Sequence, residues 1–151
     1  MARSVVAPDL QRIGGVSNRR KGGPSGEPLR FEFTVPAHPM SLGFVRRAMY
    51  TLGDVCGPEV AETLALVFSE LMTNAIRHSG ASENDPLEVL LEIGGPRVRG
   101  SVSDGGSGFE PRAVQPPPGA EGGYGLRIVD RIAGRWGAEN DGTRTTVWFE
   151  L

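Results

Sequence analysis

Between residues 29 and 35 apolar and polar positions alternate, with Leu29, Phe31, Phe33 and Val35 set between Arg30, Glu32 and Thr34. A period of two predicts a half-buried strand, and Pro36 and Pro39 end it. Ser41 is placed to cap a helix whose apolar residues Phe44, Ala48 and Leu52 recur every four positions, with Arg46 and Arg47 off that stripe and Gly53 near its end. Pro58 suits the first position of a second helix, and Glu59 and Glu62 lie near its positive end. The core stripe of this helix is Val60, Leu64, Val67 and Leu71, and Gly80 terminates it. Residues 87 to 93 and 98 to 102 read as two strands joined at Gly94-Gly95-Pro96 in a tight hairpin. Residues 109 to 121 hold four prolines and no apolar period, which predicts a mobile loop. A third helix is expected over 126 to 135 with Leu126, Val129 and Ile132 inward. A last hairpin follows, with strands over 136 to 139 and 145 to 151 and a turn at Asn140-Asp141-Gly142.

These elements fill one domain from residue 29 to 151. Residues 1 to 28 mix Arg, Gly, Pro and Ser with few large apolar side chains, so they read as a disordered basic tail in which Lys21 lies outside any strand pattern. A chain of 151 residues with 38% hydrophobic content supports one core. The formal net charge is −2 and the only dense basic stretch is Arg19-Arg20-Lys21, which argues against nucleic acid as a direct partner. Cys56 is the only cysteine, so there is no internal disulfide, and a reducing cytoplasm fits. With no apolar run of membrane-spanning length, the expectation is a soluble protein with no membrane contact. Lys21 is also the only lysine, and Gly22 follows it. A P-loop needs Lys followed by Ser or Thr, and the protein-kinase pattern needs a strand lysine over the phosphates, so both designs are excluded.

A different constellation remains. Glu70 and Asn74 are four residues apart and share one helix face, on a line with Leu66 at the border of the apolar stripe, where a pocket can open. Glu70 there can serve as a general base, and Asn74 can offer a neutral oxygen to Mg²⁺, which takes few protein ligands and keeps several waters. Taken alone, each is an ordinary helix-surface residue. Asp104, at a strand end before Gly105-Gly106-Ser107-Gly108, can accept from an exocyclic amine such as adenine N6; alone it is a common Asp-Gly turn. Gly106 and Gly108 allow close backbone approach to a base, and Gly123 and Gly125, just before a helix, can present amides to phosphates. His78 can hydrogen-bond a phosphate, although a helix-end histidine usually just complements the dipole. His38 is the only other histidine, which leaves no metal cluster.

The joint pattern carries a resemblance. Glu70 and Asn74 on a helix, then Asp104-Gly105-Gly106-Ser107-Gly108, then Gly123-Tyr124-Gly125-Leu126 resemble the N, G1 and G2 boxes of the GHKL ATPase superfamily of gyrase, histidine kinases and the heat-shock chaperone. The run from Leu66 to His78, with Arg135-Trp136-Gly137 and the stretch from Thr146 to Leu151, is similar to the small bacterial anti-sigma serine/threonine kinases. The resemblance covers about residues 30 to 151 and implies an α/β two-layer sandwich of the Bergerat type, a mixed, mainly antiparallel sheet with helices on one face. It implies ATP and Mg²⁺ as cofactors, Asn74 as the metal ligand and Glu70 as the catalytic base. Asp104 would hold the adenine amine. His78, Gly106, Gly108, Gly123, Tyr124, Gly125 and Leu126 would complete the ATP pocket, and Thr145 would support the adenine contact through water, with Thr146 a close second. Residues 109 to 121 would be a short ATP lid. Arg144 stands where many relatives have glycine, which bears on the local loop shape.

Two function classes follow. One is a kinase that moves the γ-phosphate of ATP to a serine of an anti-anti-sigma partner of the STAS type and acts as an anti-sigma factor, with a homodimer implied. The other is a module that grips a sigma factor or other regulator while ATP sets its conformation. The catalytic half of a two-component histidine kinase fits less well, because no dimerising hairpin with a phosphoaccepting histidine precedes the domain. An ATP hydrolase driving a conformational cycle would need further domains.

Overall fold

The computed structural model describes residues 17–21, 27–78, 82–104 and 124–151. In β2 (Leu29–Pro36) the alternation becomes burial: Phe31, Phe33 and Val35 are buried while Arg30, Glu32 and Thr34 face the other way. The same alternation buries Leu87, Val89, Leu91 and Ile93 in β3 (Pro86–Gly94), Val98 and Val102 in β4 (Arg97–Asp104), and Val147 and Phe149 in β6 (Thr145–Glu150). With β1 (Ser17–Lys21) and β5 (Arg135–Asn140) they form one six-stranded sheet in the order β1-β2-β3-β4-β6-β5. Every pairing is antiparallel, so the expected mixed sheet has no parallel pair among the described residues.

The helices α1 (Pro39–Thr51), α2 (Gly53–Cys56), α3 (Pro58–His78) and α4 (Tyr124–Ile132) make the second layer. Leu64, Val67, Phe68, Leu71 and Met72 of α3 join the inward strand residues in a single core. This is the expected α/β sandwich with helices on one face. At its centre Phe68 of α3 meets Phe149 of β6 edge to face, with ring centroids 5.2 Å apart. Gly100 makes room for that pair, since a Cβ there would lie 2.5 Å from the Phe149 ring and 2.6 Å from Phe68 Cζ. The opposite face of the sheet is largely polar, with Arg30 bound to Glu32 and Glu92, and Arg99 stacked 5.3 Å from the Trp148 ring centre.

Several expectations need correction. Residues 17 to 21, assigned to the tail, form β1 and pair with β2 from Ser17 opposite Thr34 to Lys21 opposite Arg30. An edge strand is held by main-chain bonds to one neighbour, and Ser-Asn-Arg-Arg-Lys has no apolar alternation to reveal it. Helix α1 is capped by His38, whose Nδ1 accepts from Met40 N at 3.1 Å, and not by Ser41. Ser41 is inside the first turn, buried, and donates through Oγ to the Pro36 carbonyl at 2.7 Å. The buried stripe of α1 is consequently Val45, Ala48 and Met49, while Phe44 packs at its margin, edge to face with Phe33. The short α2 was not foreseen. It joins α3 through Gly57, whose φ of 91° lies in the region that side chains disfavour. The last helix stops at Ile132, which is exposed, and Arg135 already belongs to β5. The loop over 109 to 121 and Gly80 lie outside the described residues. Among the described residues, no helix is long and apolar enough to cross a membrane.

Candidate functional site

Asp104 is the last residue of β4 and Thr145 the first of β6, and the antiparallel register sets them opposite each other, with Leu87 of β3 on the other side of Asp104. Both polar residues face the helix layer, 5% and 1% exposed, so a carboxylate and a hydroxyl are held in low-dielectric surroundings at one end of the sheet. Burial of this kind is uncommon for Asp.

The β5–β6 turn supports this pair. Asn140 donates from Nδ2 to Thr145 Oγ1 at 3.1 Å and accepts from Gly142 N at 2.7 Å. The Asp141 carboxylate accepts from Thr143 Oγ1, Thr143 N and Arg144 N, each at 2.8 Å. The Thr143 hydroxyl first, then the two backbone N–H groups, hold its pKa below the usual carboxylate range. Arg144 reaches over to β3 and forks onto Glu88, Nη1 to Oε2 and Nη2 to Oε1, the second at 3.0 Å. Neither Asn140 nor the Arg144–Glu88 pair was singled out as part of the site from the sequence. The Asn140-Asp141-Gly142 turn signal beside Thr145 was the available hint for the first.

The second part of the site lies where α3 meets α4. Glu70 and Asn74 are half-buried on α3, beyond the fully buried stripe and next to the exposed Leu66, as the helix periodicity predicted. Gly125, in the first turn of α4, touches Glu70 so closely that a Cβ there would lie 2.6 Å from Glu70 Oε2. The helix carboxylate and the second glycine motif therefore meet in space although 55 residues separate them in the chain. Leu126, next in the same turn, is buried in the core, so its side chain anchors α4. Since α3 packs against both β4 and α4, the Glu70 junction and the Asp104–Thr145 pair lie on the same side of the sheet.

His78 is the last residue of α3 and Tyr124 the first of α4; their side chains lie outside the described residues. Gly106, Gly108 and Gly123 also fall outside them. Among the described residues no group of three or more His, Cys, Asp or Glu is placed to hold a metal ion.

No curated protein matches the sequence. Among solved structures the chain is similar to the histidine kinase domain from the Erythrobacter litoralis EL346 blue-light activated histidine kinase, at 22% identity and a TM-score of 0.46. The match covers 78% of this chain and 61% of that one, so the chain spans about three fifths of that structure's length. A family model for the histidine kinase-like ATPase domain matches residues 35–151, well over half of the chain. This chain thus belongs to the histidine kinase-like ATPase domain family.

Proposed function

We propose that the domain is an ATP-dependent protein serine/threonine kinase that acts as an anti-sigma factor. It phosphorylates a STAS-type anti-anti-sigma partner and works as a cytoplasmic homodimer. The observation that carries the reading is the contact of Glu70 with Gly125, which joins the helix motif to the glycine motif at the mouth of a helix. Phosphates bound at such a helix start would lie beside a carboxylate able to accept a proton. Asp104, buried at the sheet end, suits an exocyclic amine and disfavours the carbonyl that guanine carries at the corresponding position. Thr145 stands beside it for a water-assisted contact with the same base.

In the transfer step Glu70 takes the proton of the partner's serine hydroxyl. The serine oxygen bonds to the γ-phosphorus, and the bond from that phosphorus to the β–γ bridging oxygen breaks, releasing ADP. Most of the rate comes from holding the hydroxyl and the phosphate in line. Mg²⁺ fits a site of this composition, because with phosphate oxygens and waters as its main ligands it needs little from the protein, and the half-buried Asn74 amide supplies a neutral oxygen. When bound, Mg²⁺ offsets the negative charge of the phosphates.

The test combines purified protein, γ-labelled Mg-ATP and candidate STAS-type partners. Label is expected on a partner serine. Glu70→Ala should cut transfer by roughly 10²- to 10⁴-fold while keeping nucleotide affinity, and Asn74→Ala should lose Mg²⁺-dependent binding. Tight ATP binding with no transfer to any partner would leave an ATP-gated binding module instead. Unchanged Mg-ATP affinity in Asn74→Ala would remove the metal assignment. Sedimentation velocity checks the dimer.

A further inference from the structure

We infer that Arg144 and Glu88 form a strut on the outer face of the sheet that positions Asp104 and Thr145 for selecting the base, which makes Arg144 a positioning residue for nucleotide choice. The inference rests on the proposed nucleotide reading and extends it to residues on the opposite face. Two adjacent rows of the sheet end carry the argument. The inner row is Leu87, Asp104 and Thr145, and the outer row is Glu88, Ser103 and Thr146, in register one step behind it. Successive residues of a strand face opposite ways, so each outer residue is bonded through the backbone to the inner residue beside it.

The inner row is the last rung of both the β3–β4 and β4–β6 ladders. Strand ends fray when nothing beyond the final rung holds them. Asp104 stands on the last described rung of both ladders, and base recognition requires its carboxylate and the Thr145 hydroxyl to keep their spacing to a fraction of an ångström. The outer face supplies two ties. Ser103 Oγ and Thr146 Oγ1 are 2.8 Å apart and fasten β4 to β6. Arg144 then spans from the start of β6, across β4, to Glu88 on β3, so that three strands are linked over the residue that contacts the base.

A single-point ion pair at half-exposed side chains would hold little. This one is bidentate, and the planar fork fixes direction as well as distance. The Arg144 main chain is also held, because its N–H donates to the Asp141 carboxylate. With both its backbone and its guanidinium tied, Arg144 transmits the position of β3 to Thr145, the next residue along. Its positive charge is within electrostatic reach of Asp104 as well.

The experiment measures equilibrium binding of Mg-ATP and Mg-GTP by wild-type protein, Arg144→Gly, Glu88→Gln, and the exchanged double variant Arg144→Glu with Glu88→Arg. Urea midpoints of all four are recorded alongside. Each single variant is expected to lower the ATP-over-GTP preference by about tenfold, through weaker ATP binding at an unchanged GTP affinity, with the exchanged pair recovering most of the preference. The turnover number at saturating ATP should stay at the wild-type value, since neither residue touches the reacting atoms. An unchanged ATP preference in both single variants would overturn the strut. So would equal losses for ATP and GTP that follow the urea midpoint and are not recovered by the exchange, because those mark a merely structural role. Wild-type protein that binds ATP no better than GTP would instead remove the nucleotide reading, and the strut with it.

Discussion

Gly125 and Gly100 both lack a Cβ where one would collide, but the colliding partners differ, and so do the expected consequences. At Gly125 the neighbour is Glu70 Oε2, the far end of a flexible side chain. Gly125→Ala should therefore fold with an unaltered thermal midpoint while pushing the carboxylate off the line of transfer. A displacement near 1 Å costs on the order of 10²-fold in rate, to be read in single-turnover transfer to the proposed serine-bearing partner. A fully active Gly125→Ala would separate Glu70 from the chemistry. At Gly100 the neighbours are the two rings of the Phe68–Phe149 pair, both completely buried. Neither ring can retreat without shifting its own packing, so Gly100→Ala should lose about 1–3 kcal/mol of stability, seen as a lower urea midpoint with nucleotide affinity retained in the folded protein. An unshifted midpoint would contradict the close packing around that pair.

At the scale of elements, the β5–β6 turn makes stability depend on pH through one carboxylate. The pKa of Asp141 is lowered in the folded chain by the Thr143 hydroxyl and the Thr143 and Arg144 N–H groups, so its stabilising contribution is complete above the unfolded value of about 3.9. That contribution falls away as the pH drops through the lower folded value. The difference in urea midpoint between wild type and Asp141→Ala should be constant at neutral pH and shrink in acid; a difference that grew in acid would reverse the assignment. Such turn bonds are only partly legible in sequence: Asn140-Asp141-Gly142 announces a turn but not which atoms its side chains hold. The elements with strong periodicity, β2, β3, β4, β6 and α3, were readable because burial of one face is written into spacing. The half-buried position of Glu70 and Asn74 beside the buried stripe of α3 was readable for the same reason. The cap of α1 was misassigned because Ser41 is a common cap, whereas the choice of His38 depends on the path of the chain after Pro36. The Arg144–Glu88 pair joins residues 56 apart and exists only once β3, β4 and β6 are aligned, so no local pattern could disclose it.

For the molecule as a whole, β1 and β5 are the outer strands of the sheet among the described residues, where each pairs with one neighbour. The two edges differ in what lies behind them. The buried core runs from Phe31 of β2 to Phe149 of β6, and the strands that carry Asp104 and Thr145 stand in the half of the sheet toward β5, with β2 and β3 between them and β1. Removing residues 1–26 would take β1 away and leave β2 as the new edge, presenting its main-chain donors and acceptors beside a strand with Phe31, Phe33 and Val35 on one face. An uncovered edge of this kind pairs readily with another copy. The Arg30 ion pairs with Glu32 and Glu92 lie on the opposite face and limit, without abolishing, that pairing. The truncated protein is expected to unfold cooperatively and to keep the wild-type affinity for Mg-ATP. Light scattering should detect concentration-dependent association beyond that of the full chain. Loss of cooperative unfolding would make β1 part of the folding core, and unchanged association would mean that β2 is protected by something other than β1. A fall in nucleotide affinity on truncation would be the most informative departure, because it would connect the β1 edge to the Asp104–Thr145 end through the intervening strands.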